Sequence, residues 1–476
     1  MSKRRSNAQA AMGRQSRKAF KGQRLRDPRS LTDNVRDAAA WVIERTLDSR
    51  SPSSAFLDSA LRRVEEPDQP LLRELTLGTL RWLRRIDHVI SLASHRSMEN
   101  IDPALRAPLR VGAYQLLFLD RVPAHAAVHE AVEHARRRTH KGGASFTNAV
   151  LRRIAREKSL DAWRVEERDP VRRMAVENSH PDLLVRRWVD QLGEAAARRM
   201  LAANNRPKPL QLLAFCDRGG RELLAESLID EGLDVEPSVL APQGLIVRRG
   251  NPIRTAAYRR GDFYIQDEAS QAAALIPHPR VGERVLDAAA APGGKGLTLL
   301  AAQPELEMTF ADISPVRLQL LRSNLRRLGR PSLPIVVADG GRPPFRGSFD
   351  RVVVDLPCTG TGTLRKHPEL KWRISEPEIG RLSRQSLRIL GGAASRLAPG
   401  GLLVAITCSI EPEENERVIA RFLEKHDELQ PEPLEEHLDR PLRAGIRGPG
   451  FWRMLTAGDH DGFTVHALRR LGPRPA

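Results

Sequence analysis

Cysteine is almost absent from this sequence: Cys216, Cys358 and Cys408 are the only three in 476 residues. An odd count without metal-type spacing excludes a disulfide framework and gives no sign of a zinc site, so no bound metal is expected and each thiol is read as free. A run of about 18 apolar residues is also missing, which argues against a membrane-spanning helix. No apolar stretch follows the basic residues at the start, so no secretory leader is expected. The chain is therefore expected in the cytoplasm, away from membranes and with its thiols reduced. Two loop signatures are lacking as well, the G-x-x-x-x-G-K-[ST] phosphate loop and the G-x-G-x-x-G dinucleotide fingerprint.

Positive charge is plentiful. The 77 Lys+Arg against 59 Asp+Glu give a formal net charge of +18, which favours a polyanionic partner, nucleic acid before an acidic membrane surface. The length exceeds one hydrophobic core, so two or three domains are expected. Met1 to Ser30 holds ten Lys/Arg and one Asp, and residues 1–33 read as a basic disordered arm. Residues 34–160 repeat apolar positions every three or four residues (Ala38, Trp41, Val42, Thr46; Leu105, Leu109, Ala113, Leu116), predicting a helical bundle punctuated by Pro123 and Gly142-Gly143. Its run Arg136-Arg137-Arg138 is more simply a solvated helix face than a nucleic-acid site. Residues 161–265 predict further helices from 182 to 203 and then a small α+β unit with short apolar runs at Leu210–Ala214 and Gly244–Val247.

In residues 266–476 strands and helices alternate from Arg284 onward, predicting a doubly wound, parallel sheet covered on both faces. Strands are expected at 284–288, 308–312, 335–338, 351–355 and 402–407, with helices at 295–302, 315–328 and 378–397. The first strand runs through Asp287-Ala288-Ala289-Ala290-Ala291-Pro292-Gly293-Gly294-Lys295 into a helix. Small residues there let a ligand approach the backbone at the carboxyl end of a strand. With both phosphate-binding spacings missing, a nucleoside without pyrophosphate fits better. Asp312 ends the second strand, where a carboxylate can accept hydrogen bonds from ribose hydroxyls, and Asp339 ends the third; together they describe an adenosine-type pocket. A strand-end aspartate often only caps the following turn, but a series of them is harder to dismiss.

Asp355-Leu356-Pro357-Cys358 puts a carboxylate and a thiol past the fourth strand, before a polar, basic loop from Arg365 to Trp372. Thr407-Cys408-Ser409 does the same past the fifth. A cysteine within a strand is usually a small core residue; these two lie beyond their strands. A thiol adding at C6 of cytosine makes C5 nucleophilic enough to take a methyl group from a sulfonium, after which a base removes the C5 proton and the thiolate leaves. Asp355 could hold the ring at N3, and helix N-termini near the strand ends should lower a cysteine pKa. Methylation at nitrogen or oxygen needs no thiol.

These residues resemble the bacterial ribosomal RNA cytosine-C5 methyltransferases of the Sun/Fmu type, in the NOL1/NOP2/Sun group. Gln266-Asp267-Glu268-Ala269-Ser270, Asp287 to Lys295, Asp355 to Cys358, Thr407-Cys408-Ser409 with Glu413-Glu414-Asn415-Glu416, and Asp461-Gly462-Phe463 with Leu468-Arg469-Arg470 are similar to its motifs. Residues 34–160 resemble its NusB-like RNA-binding domain. The resemblance implies a multidomain chain: an all-α NusB-like domain, a small α+β region, and a Rossmann-like α/β methyltransferase domain. It implies S-adenosyl-L-methionine as cofactor, held by Ala289, Ala290, Ala291, Pro292, Gly293, Gly294, Lys295, Asp312, Arg317, Asp339 and Asp355. It further implies Cys408 as nucleophile, Cys358 in product release, Asp355 on the target base, and small-subunit ribosomal RNA as partner of a monomer. Three positions depart from the family pattern: Ala289 for a cysteine, Gly296 for a threonine and Ala405 for an aromatic residue. A tRNA or DNA cytosine-C5 methyltransferase, or an assembly factor that binds RNA without catalysis, are the alternatives. The cysteine pair and the helical domain argue against DNA, and the retained aspartates and thiols against loss of activity.

Overall fold

The computed structural model describes residues 33–49, 51–139 and 141–472. The basic arm lies outside them apart from Asp33. Contacts divide the chain into one unit ending at Arg164 and another starting at Val165.

Among the described residues, the first unit is a bundle of seven α-helices: Val35–Asp48, Ser53–Leu61, Gln69–Arg81, Leu83–Ser94, Pro103–Phe118, Ala124–Arg138 and Lys141–Arg156. Asn34 opens it by accepting hydrogen bonds from the backbone N of Arg36 and Asp37, which satisfies donors that a helix start leaves unpaired. Ala38, Val42 and Thr46 are buried, as are Leu105, Leu109, Ala113 and Leu116, so the three-to-four spacing marks the inner faces. The glycine pair lies in the first turn of the last helix, not between helices; a Cβ on Gly143 would stand 2.2 Å from Thr139 Oγ1. The arginine run is neutralised locally: Arg136 pairs with Glu133, Arg137 with Asp37 at 2.6 Å and Arg138 with Glu44 at 2.5 Å.

The second unit begins with helices Pro170–Glu177, Asp182–Leu192 and Glu194–Asn204. The last two are the helices expected from 182 to 203, separated at Gly193, which takes φ +79, a conformation glycine adopts at little cost. A four-stranded antiparallel sheet follows in the order β2-β3-β1-β4, formed by β1 (Leu210–Ala214), β2 (Asp234–Pro237), β3 (Gly244–Arg249) and β4 (Phe263–Ile265).

The larger sheet holds β5 (Arg284–Asp287), β6 (Glu307–Asp312), β7 (Ile335–Val337), β8 (Phe349–Asp355) and β9 (Leu397–Thr407). It continues with β10 (Leu429–Pro431), β11 (Ile446–Gly448), β12 (Phe451–Met454) and β13 (Phe463–Arg470). The order is β11-β12-β13-β9-β8-β5-β6-β7, with β10 also on β13. Strands β5 to β9 pair in parallel, whereas β13 runs antiparallel to β9. Val352–Val354 and Leu402–Ile406 are buried, as strands covered on both faces require. The helix expected over 378–397 spans Glu376–Ala394 instead, because Leu397 pairs with Phe349 and is drawn into the sheet. From β5 the chain winds outward through β6 and β7, then returns to β8 on the other side. The carboxyl ends of β5 and β8 therefore flank a topological switch point, where open α/β sheets bind ligands.

Candidate active site

Strand register brings the cysteines together. In the parallel pair β8–β9, Asp355 lies opposite Ile406, so Cys358 and Cys408, a few residues farther on, leave the sheet side by side. Their sulfurs are 3.4 Å apart, and both residues are half-buried. The two loops are stitched together: Gly362 N donates to Cys408 O at 2.9 Å, and Gly462 N to Gly362 O at 2.7 Å. Thr361 and Ser409 join their hydroxyls at 3.1 Å.

The Cys358 thiol is pushed well above its ordinary value, first by its hydrogen bond to Cys408 and then by burial, with the Cys408, Glu414 and Asp355 charges adding to the effect. This reverses the lowering expected for a cysteine beside helix N-termini. Its immediate neighbours are a second sulfur and two carboxylates, which outweigh a helix dipole. Glu414 accepts hydrogen bonds from Thr359 N at 2.8 Å and Thr359 Oγ1 at 2.7 Å. Burial lifts its carboxyl to about 7.

Lys295, buried in the first turn of the helix Gly294–Ala302, reaches Asp355 Oδ2 at 3.4 Å and donates to Ser270 Oγ at 3.1 Å. Its ammonium lies 5.0 Å from the Phe463 ring centroid, a cation–π geometry. Gln266 braces the arrangement, donating to Ser270 Oγ at 3.2 Å and accepting from Thr298 Oγ1 at 2.9 Å. Asp267 caps the helix Glu268–Leu275 and meets Lys208 Nζ at 2.5 Å, while Asp461 meets the same ammonium at 2.6 Å.

Lys208 went unread because it stands between two prolines and belongs to no motif. The loop expected to be polar and basic is largely interior: Arg365, Glu369 and Lys371 are buried. Arg365 donates to Gly458 O at 2.9 Å, and Lys371 to Asn205 Oδ1 at 2.7 Å. Their alternation with His367 and Pro368 mimics an exposed loop, and only tertiary packing shows otherwise.

At the small-residue loop Asp287 is fully buried. One carboxyl oxygen accepts from Gly296 N at 3.0 Å, and the other has no hydrogen-bond partner. Burial above all, with the nearby Asp355 charge, raises this carboxyl to about 7. Ala290 N donates to Ala311 O at 2.8 Å and Ala291 N to Asp312 Oδ2 at 3.1 Å, tying the loop to β6. Pro292 follows in a cis peptide, and Gly293 takes φ +119. Asp312 also accepts from Ser314 N at 2.9 Å, and Arg317 stands 3.6 Å from it while donating to Ala291 O. Asp339 accepts from Gly341 N at 2.9 Å and pairs with Arg388 at 2.6 Å. Arg388 and the Gly341 N–H hold it below the usual carboxylate range.

Both aspartates thus serve their turns, and carboxylates with about four lone-pair positions keep acceptor capacity for a ligand. Strand-end carboxylates, a loop of small residues and an orphaned buried oxygen suit a cationic nucleoside better than a phosphate ester. The Gly296 departure has a local cause. A Cβ there would lie 2.3 Å from Phe310 and 2.6 Å from Met308, so the bulk of β6 occupies the space a threonine would need.

The sheet order, with antiparallel β13 beside β9 and a small-residue loop at the switch point, defines a Rossmann-like methyltransferase domain. Residues 274–468 match the model of the 16S rRNA methyltransferase RsmB/F family, residues 33–156 the NusB family, and 180–254 the RsmF/B-like ferredoxin-like domain. The probable ribosomal RNA small subunit methyltransferase B of Bacillus subtilis (strain 168) is 33% identical over 448 residues, 92% of this chain and 99% of that one. Ribosomal RNA small subunit methyltransferase B of Pasteurella multocida (strain Pm70) is 30% identical over 92% of this chain and 96% of its own. Among solved structures, the protein PH0851 superposes with TM-score 0.75 at 26% identity, covering 93% of this chain and 99% of its own. A methyltransferase homologue from Pyrococcus horikoshii gives 0.55 at 25%, covering 64% and 100%. The chain belongs to the 16S rRNA methyltransferase RsmB/F family.

Proposed function

We propose that this chain methylates C5 of a cytosine in small-subunit ribosomal RNA, with Cys408 as nucleophile, Cys358 assisting release and S-adenosyl-L-methionine as cofactor. The contact of two thiols beside Asp355 at the switch point carries this reading, since methylation at nitrogen or oxygen would use neither sulfur. Ala289 to Lys295, Asp312, Arg317 and Asp339 would hold the cofactor, with Asp355 at the boundary between cofactor and base. When bound, S-adenosyl-L-methionine supplies an electrophilic methyl group on a sulfonium.

Cys408 Sγ adds to C6, its S–C bond forming as the C5–C6 double bond opens and makes C5 a nucleophilic enamine carbon. The Asp355 carboxyl, carrying a proton, holds the ring by donating to N3, and transfer of that proton neutralises the negative charge that addition at C6 places there, with the Lys295 ammonium close by. Once C5 carries the methyl group, its proton must leave to a base before the S–C6 bond breaks and Cys408 departs. Cys358 lies in contact with Cys408, where its thiol can take part in that release. The target base must be unstacked to enter a cleft at strand ends.

Purified chain incubated with tritiated cofactor should label unmethylated small-subunit RNA and neither tRNA nor duplex DNA. Label on DNA alone, or on no nucleic acid, would refute the reading. Cys408→Ala should abolish transfer, whereas Cys358→Ala should trap a denaturation-resistant RNA adduct. The reverse pattern would exchange the two roles.

A further inference from the structure

One carboxylate joins the two cysteine loops. Glu414 is 1% exposed and binds the backbone N and the hydroxyl of Thr359, the residue after Cys358. Two sulfurs 3.4 Å apart do not ionise together, because like charges at that spacing repel strongly away from water. The site must therefore place one thiolate on a chosen sulfur.

The surrounding charges narrow the choice. Asp355 has the Lys295 ammonium at 3.4 Å. Arg187 engages Glu411 at 2.6 Å and Glu413 at 2.5 Å, and Arg417 adds a contact to Glu413 at 3.0 Å. Glu414 forms no ion pair with any Lys, Arg or His among the described residues. Burial without a counter-ion raises this carboxyl to about 7, so it carries its negative charge only above that value, and its two hydrogen bonds from Thr359 anchor it on the Cys358 side.

We propose that Glu414 selects the nucleophile: its carboxylate, fixed on Thr359, disfavours a thiolate at Cys358 and leaves that thiol to donate its S–H to a negatively charged Cys408. Glu414 is then a positioning residue, acting through Thr359 and the two sulfurs without touching the substrate. The upward displacement of the Cys358 thiol, to which the Glu414 charge contributes, agrees with this arrangement. The inference rests on the roles proposed above for the two cysteines.

The test is competitive alkylation of the whole chain with limiting iodoacetamide at about pH 8, where the Glu414 carboxyl is ionised, read by peptide mass spectrometry at low conversion. Exposed Cys216 serves as internal standard. In the native protein Cys408 should label about tenfold faster than Cys358, as a thiolate does beside a thiol. In Glu414→Gln, which keeps the shape and a carbonyl acceptor, that ratio should fall at least about fivefold through faster labelling of Cys358 relative to Cys216. Thr359→Val removes only the hydroxyl donor, and should move the ratio in the same direction by less. An unchanged ratio in folded Glu414→Gln overturns the inference while leaving the cysteine roles intact. If Glu414→Gln does not fold, an unchanged ratio in Thr359→Val overturns it. Faster labelling of Cys358 in the native protein would instead overturn the cysteine roles, and the inference with them.

Discussion

Asp287 shows at the scale of one residue how a binding site sets itself against stability. Its carboxyl is fully buried, one oxygen lacks a partner and the group titrates at about 7. The unfolded chain would release the same proton near 4. The folded state therefore binds an extra proton between those values, and deprotonation there weakens the fold. Relative to Asp287→Asn, the native protein should lose stability as pH rises from about 4 to about 7, by at most about 1.4 kcal/mol per pH unit, and should change no further above that range. Urea unfolding of both proteins at pH 5 and pH 7.5 measures the difference, and a gap independent of pH would contradict the assignment.

The elements carry the geometry, and glycines reveal where they meet. A Cβ on Gly362 would lie 2.2 Å from Gly462 O and 3.0 Å from Cys408 O, both backbone atoms that can yield only if the cysteine loops move. Gly362→Ala should lower the methyl-transfer rate by at least about tenfold and cost about 1–3 kcal/mol of stability. Gly391, on the helix Glu376–Ala394, has nothing within 4 Å of its virtual Cβ. Gly391→Ala should leave the rate unchanged and add up to about 1 kcal/mol. Rate assays paired with thermal unfolding separate the two cases.

The same elements show what a sequence discloses. The run Val352 to Asp355 and the alternation of strands with helices were legible because burial on both faces demands unbroken apolar residues. The cysteines stood out because each lies just past such a run. Their 3.4 Å contact depends on the β8–β9 register, which no local pattern encodes. The partners of Lys208, Arg365 and Lys371 lie far away in the chain, so no local pattern marks these cations as interior. The arginine run 136–138 was legible as the face of a helix, but its partners Asp37 and Glu44 appear only once the bundle closes.

At the scale of the whole molecule, charge governs association. Met1 to Ser30 supplies half of the net charge of +18, with ten Lys/Arg against one Asp. RNA affinity should fall linearly with salt on logarithmic axes, because phosphate contacts release counter-ions. A chain lacking residues 1–30 should bind more weakly and show a shallower slope in filter-binding titrations from 50 to 200 mM salt, the range over which such effects are large. Equal slopes would place the RNA contacts elsewhere.

Strand β13 has an interior place in the sheet, with β9 along one edge and β12 and β10 along the other. During synthesis this imposes an order of assembly. When β9 and its cysteine have left the ribosome, the open edge of that strand must wait for Phe463–Arg470, and an unpaired strand edge invites wrong partners. The Phe463 ring beside Lys295 and the Gly462 bond to the Cys358 loop arrive with the same late segment. A nascent chain halted before it would hold both thiols and the whole cofactor loop, yet lack the brace that sets them in order.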